Sequence, residues 1–425
     1  MTRVDESTAL FYKMSKKNNG NTIGVMAEVD GIPSERYIYS RIKKMIDKYP
    51  ILSMSPVEHS QGWEWKTIVD VEEKKHLQKI EKKRYDKKNL HKYIDNIIAE
   101  DFVVGEPFWK IYLLTYINDK KSYIFFKANH IYGDGHQVSH YLKTLTDGEE
   151  LKPHVKKKKK NGWIHAFYSF IMAFLHLIYT LFFFKRREIE IDKLNIENNK
   201  VKFLHCNTWD IDEIKAIKNY YGVTINDLLF TIIAETIKNY CGEDVGLSSL
   251  SMFNLRNLDT FAPTAGSTIT LQNNIGFISL SSTNNRGTLE DRLKRNSKTL
   301  SYFKDSSFIY ITIKLIKLIC FLSSNCALKL LDRIGDQSRF AFSNFRAFTE
   351  KKYIDGHEIV NISNFVIPYK VGTFFTIVSY ADKLTMNVTY REPNIRDKKR
   401  FLHCLDNIYQ IFKDKAIGSS QQISG

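Results

Sequence analysis

Residues 122–135 read SYIFFKANHIYGDG. An aromatic, β-branched run ends at Ala128, and Asn129, His130, Gly133, Asp134 and Gly135 follow within a few positions. The run from Ser122 to Asn129 is expected to be a buried strand. Phe108–Ile117 has the same character, and Asn118-Asp119-Lys120-Lys121 between them suits a hairpin turn. Strand ends in α/β folds commonly display catalytic groups. His130 is the residue type that titrates near neutrality and serves as a general base. Asp134, four positions on, can fix the loop or pair with an arginine. The glycines permit backbone conformations that other residues resist. On these residues alone, a catalytic loop and a plain turn with a satisfied histidine are equally open.

Upstream, Asn21–Asp30 suits a strand, and Pro33 opens a helix to about Lys48 with Ile38, Ile42, Met45 and Ile46 at helical spacing. Ile51–Val57 and Trp63–Val69 suit strands, Lys87–Asp101 a helix, and Gly135–Thr146 a second helix. Downstream of residue 200 the mixed pattern resumes. Strands are expected at Val201–Thr208, Leu247–Phe253, Ile275–Ser281, Phe340–Phe345, Val360–Phe365, Thr373–Tyr380 and Lys383–Tyr390. Helices are expected at Ile211–Tyr221, Thr224–Tyr240, Leu289–Phe303 and Lys399–Phe412, with an amphipathic helix pair over Ile309–Leu331. This is an α/β pattern in two parts. The expected organisation is a first lobe over 1–150, a linker over 151–200 and a second lobe over 201–425.

The 425 residues carry 63 Lys and Arg against 47 Asp and Glu, a formal charge of +16. Such a surplus suits nucleic acid, anionic lipid or anionic substrates. More than half of it lies in Lys152, the lysine run Lys156–Lys160, and Lys185-Arg186-Arg187. No nucleic-acid motif accompanies these clusters, so nucleic acid is not an expected partner. The cysteines, Cys206, Cys241, Cys320, Cys326 and Cys404, lack C-x-x-C spacing and suit a reducing compartment. Residues 1–21 carry no secretory h-region. No P-loop or G-x-S-x-G occurs. His136 and His140 lie one turn apart, but no H-E-x-x-H glutamate accompanies them, so no metal site is expected.

The H-x-x-x-D-G segment resembles the H-H-x-x-x-D-G motif of the CoA-dependent acyltransferase superfamily, and within it the wax ester synthase/diacylglycerol acyltransferase family. Pro107-Phe108-Trp109-Lys110 is similar to that family's P-L-W-E. Thr224-Ile225-Asn226-Asp227 is similar to T-V-N-D, Asn254-Leu255-Arg256 to N-L-R, and Asn273-Asn274-Ile275-Gly276 to G-N-x-x-G. Ser379-Tyr380-Ala381-Asp382-Lys383-Leu384 is similar to S-Y-x-G-x-L. The family's first motif histidine is Asn129 here. The S-N-x-P-G-P segment is hinted at only by Ser343-Asn344-Phe345 or Ser363-Asn364-Phe365.

The resemblance implies a two-lobed chloramphenicol-acetyltransferase-like fold with the site between the lobes. It implies transfer of a fatty acyl group from acyl-CoA, a co-substrate and not a bound cofactor, to a long-chain alcohol or diacylglycerol. His130 would be the base, with Asp134 and Gly135 shaping its loop. Asp134 would pair with an arginine such as Arg256. Pro107, Trp109, Asn129, Asn226, Asp227 and Arg256 are the candidate substrate contacts. An acyltransferase for a short alcohol or amine, and an inactive lipid-binding protein of the same fold, are the rival expectations.

Trp163–Phe184 contains no Asp, Glu, Lys or Arg over 22 residues. As a helix it would be about 33 Å long, enough to cross a bilayer core. A span would separate two lobes that must share one compartment. His165, Ser169, His176 and Thr180 instead fall on one narrow stripe of an otherwise apolar cylinder. The expectation is an interfacial helix lying in one leaflet. Trp163, Phe167, Phe170, Phe174 and Phe182 would enter the lipid, and Lys158 and Arg186 would meet anionic headgroups. The catalytic lobes would then face the cytosol.

Overall fold

The computed structural model describes residues 2–4, 21–59, 62–68, 73–103, 105–148, 163–178, 200–242, 247–254, 275–282, 286–304, 318, 324–367, 370–392 and 394–423. Among them run fifteen strands: β1 (Thr2–Arg3), β2 (Thr22–Asp30), β3 (Met54–His59), β4 (Gly62–Thr67), β5 (Leu77–Lys82), β6 (Trp109–Tyr116), β7 (Lys121–Asn129), β8 (Val201–Asp210), β9 (Ser248–Asn254), β10 (Ile275–Ser281), β11 (Phe340–Phe348), β12 (Tyr353–Ile354), β13 (His357–Val366), β14 (Thr373–Tyr380) and β15 (Lys383–Arg391). The main helices are α1 (Glu35–Lys48), α2 (Lys87–Ala99), α3 (Gly135–Leu145), α4 (Trp163–Ile178), α5 (Ile211–Tyr220), α6 (Ile225–Cys241), α7 (Leu289–Lys304), α8 (Ser324–Gln337) and α9 (Lys398–Ile423).

Two six-stranded mixed sheets organise the chain. The first has the order β12-β13-β2-β7-β6-β5, the second β10-β9-β11-β14-β15-β8. A small sheet, β1-β4-β3, flanks the first. The hairpin β6–β7 pairs Trp109 with Ala128 and turns at Lys120, which takes φ 47°. Alternation along β7 divides its side chains. Ile124, Phe126 and Ala128 enter the core that holds Ile38 and Ile42 of α1 with Val138 and Tyr141 of α3. Tyr123 and Phe125 enter a second core under α2, with Leu90, Ile94 and Ile97. A strand buried on both faces favours apolar side chains on both, which is why Tyr123, Ile124, Phe125 and Phe126 run without a polar interruption. The second sheet is covered by α5, α6 and α9, whose Ile217, Leu229, Ile233, Leu405 and Phe412 share one core with Phe375, Met386 and Val388.

The lobes are joined by a strand exchange. Strand β13 follows the second lobe's β11 in sequence, yet it pairs antiparallel with β2 of the first sheet, Ile362 opposite Ala27 and Asn364 opposite Val25. A second joint lies at β8, the edge of the second sheet. Asp95 of α2 accepts the Phe203 backbone N–H at 2.9 Å, and Lys202 meets the same carboxylate at 3.2 Å.

Local departures from the sequence expectations have simple causes. Pro50 fixes a 3-10 turn over Pro50–Ser53, so the strand expected from Ile51 begins at Met54. Ser34, not Pro33, caps α1, its Oγ accepting the Tyr37 N–H. Helix α9 runs well beyond the expected Phe412. The described end of the expected Ile309–Leu331 pair is α8; residues 305–317 and 319–323 lie outside the described residues.

Within the apolar segment, α4 spans 16 residues. Met172 packs against the second lobe's core. Phe167, Phe170 and Phe174 are 62%, 44% and 48% exposed, and Tyr168, Ile171 and Leu175 are exposed beside them. Trp163 opens the helix. Lys158, Phe182 and Arg186 lie outside the described residues. Among the described residues no helix is long and apolar enough to cross a membrane.

Candidate active site

His130 sits where β7 breaks into a short 3-10 turn, His130–Tyr132, and is buried. Asn129 caps that turn: its Oδ1 accepts the Ile131 N–H at 3.1 Å. The His130 backbone N–H donates to the Asn21 carbonyl at 2.7 Å, and Asn21 holds a left-handed φ of 68° to present it. The His130 carbonyl accepts the Gly133 N–H at 3.2 Å. Asp134 is fully buried and opens α3, with Oδ1 accepting the Gln137 N–H at 3.2 Å and its carbonyl accepting the Val138 N–H at 2.9 Å. The motif aspartate therefore caps the helix that follows the histidine.

The two glycines divide their work differently from the sequence expectation. Gly133 takes φ +126° and ψ 172°, a region nearly closed to other residues, and a Cβ there would lie 2.5 Å from Gln137 Cβ. Gly135 begins α3, and a Cβ there would meet nothing within 4 Å. The loop-shaping role expected of Gly135 falls to Gly133, because the loop must reverse before the helix starts.

Pro107 and Trp109 are buried beside this loop. The Phe108 carbonyl accepts the Asn129 N–H at 2.8 Å, and the Phe108 N–H donates to the Tyr132 hydroxyl at 3.1 Å. That hydroxyl in turn donates to the Met54 carbonyl at 2.7 Å. Trp109 donates Nε1–H to the Leu52 carbonyl at 2.7 Å and stacks on His76 with 3.9 Å between centroids. Burial pushes the His76 imidazole's pKa below its ordinary value. Trp109 is thus a core brace for the histidine loop. Two residues before Asn129, Lys127 is buried with Nζ donating to the Ile97 carbonyl at 2.7 Å and to the Glu100 carbonyl, at the C-terminus of α2. Burial pushes its pKa down to about 8, with Glu100 and Asp101 pulling the other way.

The second lobe brings Asn226 and Asp227 on the first turn of α6. Thr224 and Asp227 form a reciprocal capping box. Asp227 is buried, and its Oδ2 accepts the Thr224 N–H at 2.9 Å and the Ser297 hydroxyl at 3.0 Å. Asn226 has another partner: Asn344 Nδ2 donates to its Oδ1 at 2.7 Å. Asn344 lies on β11. The next residue, Phe345, packs against the first lobe's core, which contains Ile131, Tyr132 and Val138 of the histidine loop and α3. Of the two Ser-Asn-Phe segments, the one at 343–345 therefore stands beside Asn226, while Asn364 is buried in β13. Arg256 lies outside the described residues. Among the described residues no group of three His, Cys, Asp or Glu side chains is gathered to hold a metal ion.

Residues 271–413 match the family model for the WS/DGAT C-terminal domain. Wax ester synthase/diacylglycerol acyltransferase 10 of Arabidopsis thaliana is 22% identical, over 90% of this chain and 91% of its own length. Wax ester synthase/diacylglycerol acyltransferase 2 of the same plant is 24% identical over 70% of this chain and 71% of its own. The chain is similar to wax ester synthase/diacylglycerol acyltransferases over most of its length, and its C-terminal part matches their family model. A solved structure of this family, from Marinobacter aquaeolei VT8, superposes with a TM-score of 0.67 at 13% identity, covering 98% of this chain and all of that one. The starter condensation domain of rhizomide synthetase, solved with C8-CoA, superposes at 0.63 and 8% identity over 98% of this chain and 94% of its own. The fold is therefore the two-lobed chloramphenicol-acetyltransferase-like one expected for this family.

Several residues that brace the histidine loop leave no signal in the sequence. Asn21 and Tyr132 hold the histidine loop through a carbonyl and a hydroxyl, neither of which leaves a spacing signal. Asn344 was one of two equivalent candidates until the strand pairing separated them.

Proposed function

We propose that this chain is a membrane-associated O-acyltransferase that moves a fatty acyl group from acyl-CoA to a long-chain alcohol or diacylglycerol. The observation that carries this reading is the braced loop around His130, in a chain whose relatives bear the names wax ester synthase and diacylglycerol acyltransferase. Thiol ester and alcohol would meet in a ternary complex between the lobes over 1–150 and 201–425. His130 takes the proton of the acceptor hydroxyl as its oxygen forms a bond to the thioester carbonyl carbon. The carbon–sulfur bond then breaks, and the proton passes to the departing CoA thiolate. Asp134 and Gly133 shape the loop without touching substrate. Acyl-CoA enters as a co-substrate, and the chemistry needs no metal. Asn129 caps the turn that a second histidine would otherwise begin, so its presence leaves the loop intact.

The exposed aromatic side of α4, in a segment flanked in sequence by the lysine run at 156–160 and the basic triplet at 185–187, supports docking on an anionic membrane surface from the cytosolic face. Lipophilic substrates would reach the site from that surface.

The test is CoA release from palmitoyl-CoA with hexadecanol, diacylglycerol, a short alcohol, an amine, or no acceptor, beside His130→Ala. Release that requires hexadecanol or diacylglycerol and disappears in the variant is expected. Release only with a short alcohol or amine moves the acceptor class. No release, or equal release by the variant, overturns the transferase reading in favour of a lipid-binding protein. Deleting residues 163–184 is expected to abolish flotation with anionic liposomes; undiminished flotation overturns the docking reading.

A further inference from the structure

A positively charged surface lies where the β6–β7 turn meets the segment between β5 and α2. The Ile117 N–H donates to the Lys82 carbonyl at 3.0 Å, and the Asn118 N–H to the Lys83 carbonyl at 2.9 Å. Lys82, Lys83, Arg84, Lys87, Lys88 and Lys120 are exposed around this joint. Among the described residues, none of the six has a carboxylate within ion-pair distance. The nearby carboxylates are engaged elsewhere. Asp86 accepts the Lys88 N–H at 2.8 Å, Asp119 accepts the Tyr85 N–H, and Glu81 meets Lys79 at 2.6 Å. The N-terminal end of α2 adds the positive end of its dipole. Beside these cations Ile117 is 51% exposed, on a turn closed by the Lys120 N–H on its carbonyl at 3.3 Å.

We propose that this corner of the first lobe is a docking contact for an anionic lipid surface, with Ile117 in the headgroup layer and the six basic side chains against acidic headgroups. It extends the membrane reading, on which it rests, to a surface separate from α4. An aliphatic tip ringed by cations without partners suits a sheet of anionic headgroups over hydrocarbon. It does not suit nucleic acid, which would need rings for bases to stack on. The rings here are taken: Lys121 Nζ lies over Tyr85 at 4.9 Å and Lys82 Nζ over Tyr93 at 5.2 Å. Strand β7, of 9 residues, runs from this corner to the histidine loop, so the two lie about 27 Å apart along the strand. The corner is therefore an anchor and not a substrate entrance.

The test uses the full chain with vesicles of phosphatidylcholine and phosphatidylserine. Lys83→Gln, Arg84→Gln and Lys87→Gln together are expected to lower partition onto these vesicles at least about 10-fold. The thermal midpoint and CoA release in detergent should match the wild type. Raising the salt concentration should erase the difference in partition. In Ile117→Trp, brominated phosphatidylcholine should quench the added indole beyond the quenching seen in the wild type. Equal partition by the triple variant, or an unquenched indole on vesicles that carry the protein, overturns the proposal, while loss of flotation on deleting residues 163–184 keeps the α4 reading. Tighter binding of a single-stranded oligonucleotide than of vesicles, lost in the triple variant, overturns it in favour of nucleic acid. No flotation by the wild type overturns both membrane contacts, and His130-dependent CoA release reads acyl transfer separately.

Discussion

Asp147 accepts the backbone N–H of Gly356 at 2.9 Å, across 209 positions of sequence. Asp147 follows α3, and Gly356 is the turn between β12 and β13. The same carboxylate accepts from the Asp355 N–H at 3.3 Å, from the Tyr37 hydroxyl, and from Arg41 at 3.4 Å. Asp355 in turn accepts the Ser34 N–H and hydroxyl, both at 2.8 Å. One carboxylate thereby pins the exchanged hairpin to the helices of the first lobe.

Asp147→Asn is expected to lower stability by about 2 kcal/mol, the scale of hydrogen bonds to a charged acceptor. Burial pushes the Asp147 carboxyl up, but the hydrogen bonds from Tyr37 and the turn outweigh it and hold its pKa below the ordinary value. Its stabilisation is therefore full above the unfolded carboxylate's pKa and is lost as pH falls through the lower folded value. Urea unfolding at pH 6 and pH 3 checks this. The gap between wild type and variant should shrink at the lower pH.

The two motif glycines should respond oppositely to the same change. Gly133→Ala forces a positive φ on alanine and drives its Cβ into Gln137, so thermal stability and His130-dependent turnover should both fall sharply. Gly135→Ala opens on free space at a helix start and should leave the melting midpoint within about 2 °C. Equal midpoints for the two variants would contradict the loop geometry.

Lys127 gives a pH signature of its own. Its folded pKa of about 8 lies below the unfolded lysine's, so the unfolded state binds the extra proton between about pH 8 and 10.5. Its buried charge costs stability in full below pH 8, and that cost is relieved as pH rises through this window. Lys127→Met should be less stable at pH 7.5, because the Ile97 and Glu100 carbonyls lose their donor. It should also lack the wild type's gain between pH 7.5 and 9.5, measured by denaturant midpoint.

Helix α6 buries an ion network whose members should not be separable. Glu235 meets Lys238 at 2.9 Å and Arg292 at 3.0 Å, with the Glu235 and Lys238 side chains 2% and 0% exposed. Glu235→Ala removes the carboxylate from this buried pair and should cost about 3–5 kcal/mol. Glu235→Leu combined with Lys238→Met should recover most of that loss, because Arg292 retains the Gly287 carbonyl at 2.9 Å. A double variant as unstable as Glu235→Ala would show that the pair itself sets the cost.

What the sequence discloses and what it withholds follow from the range of the interactions. The hairpin that ends at His130 is legible because both strands are apolar on both faces and a polar turn lies between them. The helix start at Thr224 is legible too, since its apolar spacing lies within a few turns. The destination of β13 is not legible: Val360–Phe365 has strand composition, but composition does not say which sheet it joins. For the same reason Ser343-Asn344 and Ser363-Asn364 are equivalent as strings and different in place. Asp147 is an ordinary acidic residue until a turn some two hundred positions away arrives beneath it. Gly133 and Gly135 differ in φ and in the room for a Cβ, neither of which spacing records.

The exchanged strand also sets an order on synthesis. The first lobe's sheet lacks its β2 neighbour until residue 366 has been made, when most of the chain has already left the ribosome. Until then the β2 edge, with Ile23, Val25, Ala27 and Val29 beside it, stands open to any passing strand. Nascent chains stalled before β13 should be the aggregating species in the cell, and a chaperone that covers β2 should raise the yield of full-length protein without altering the finished fold.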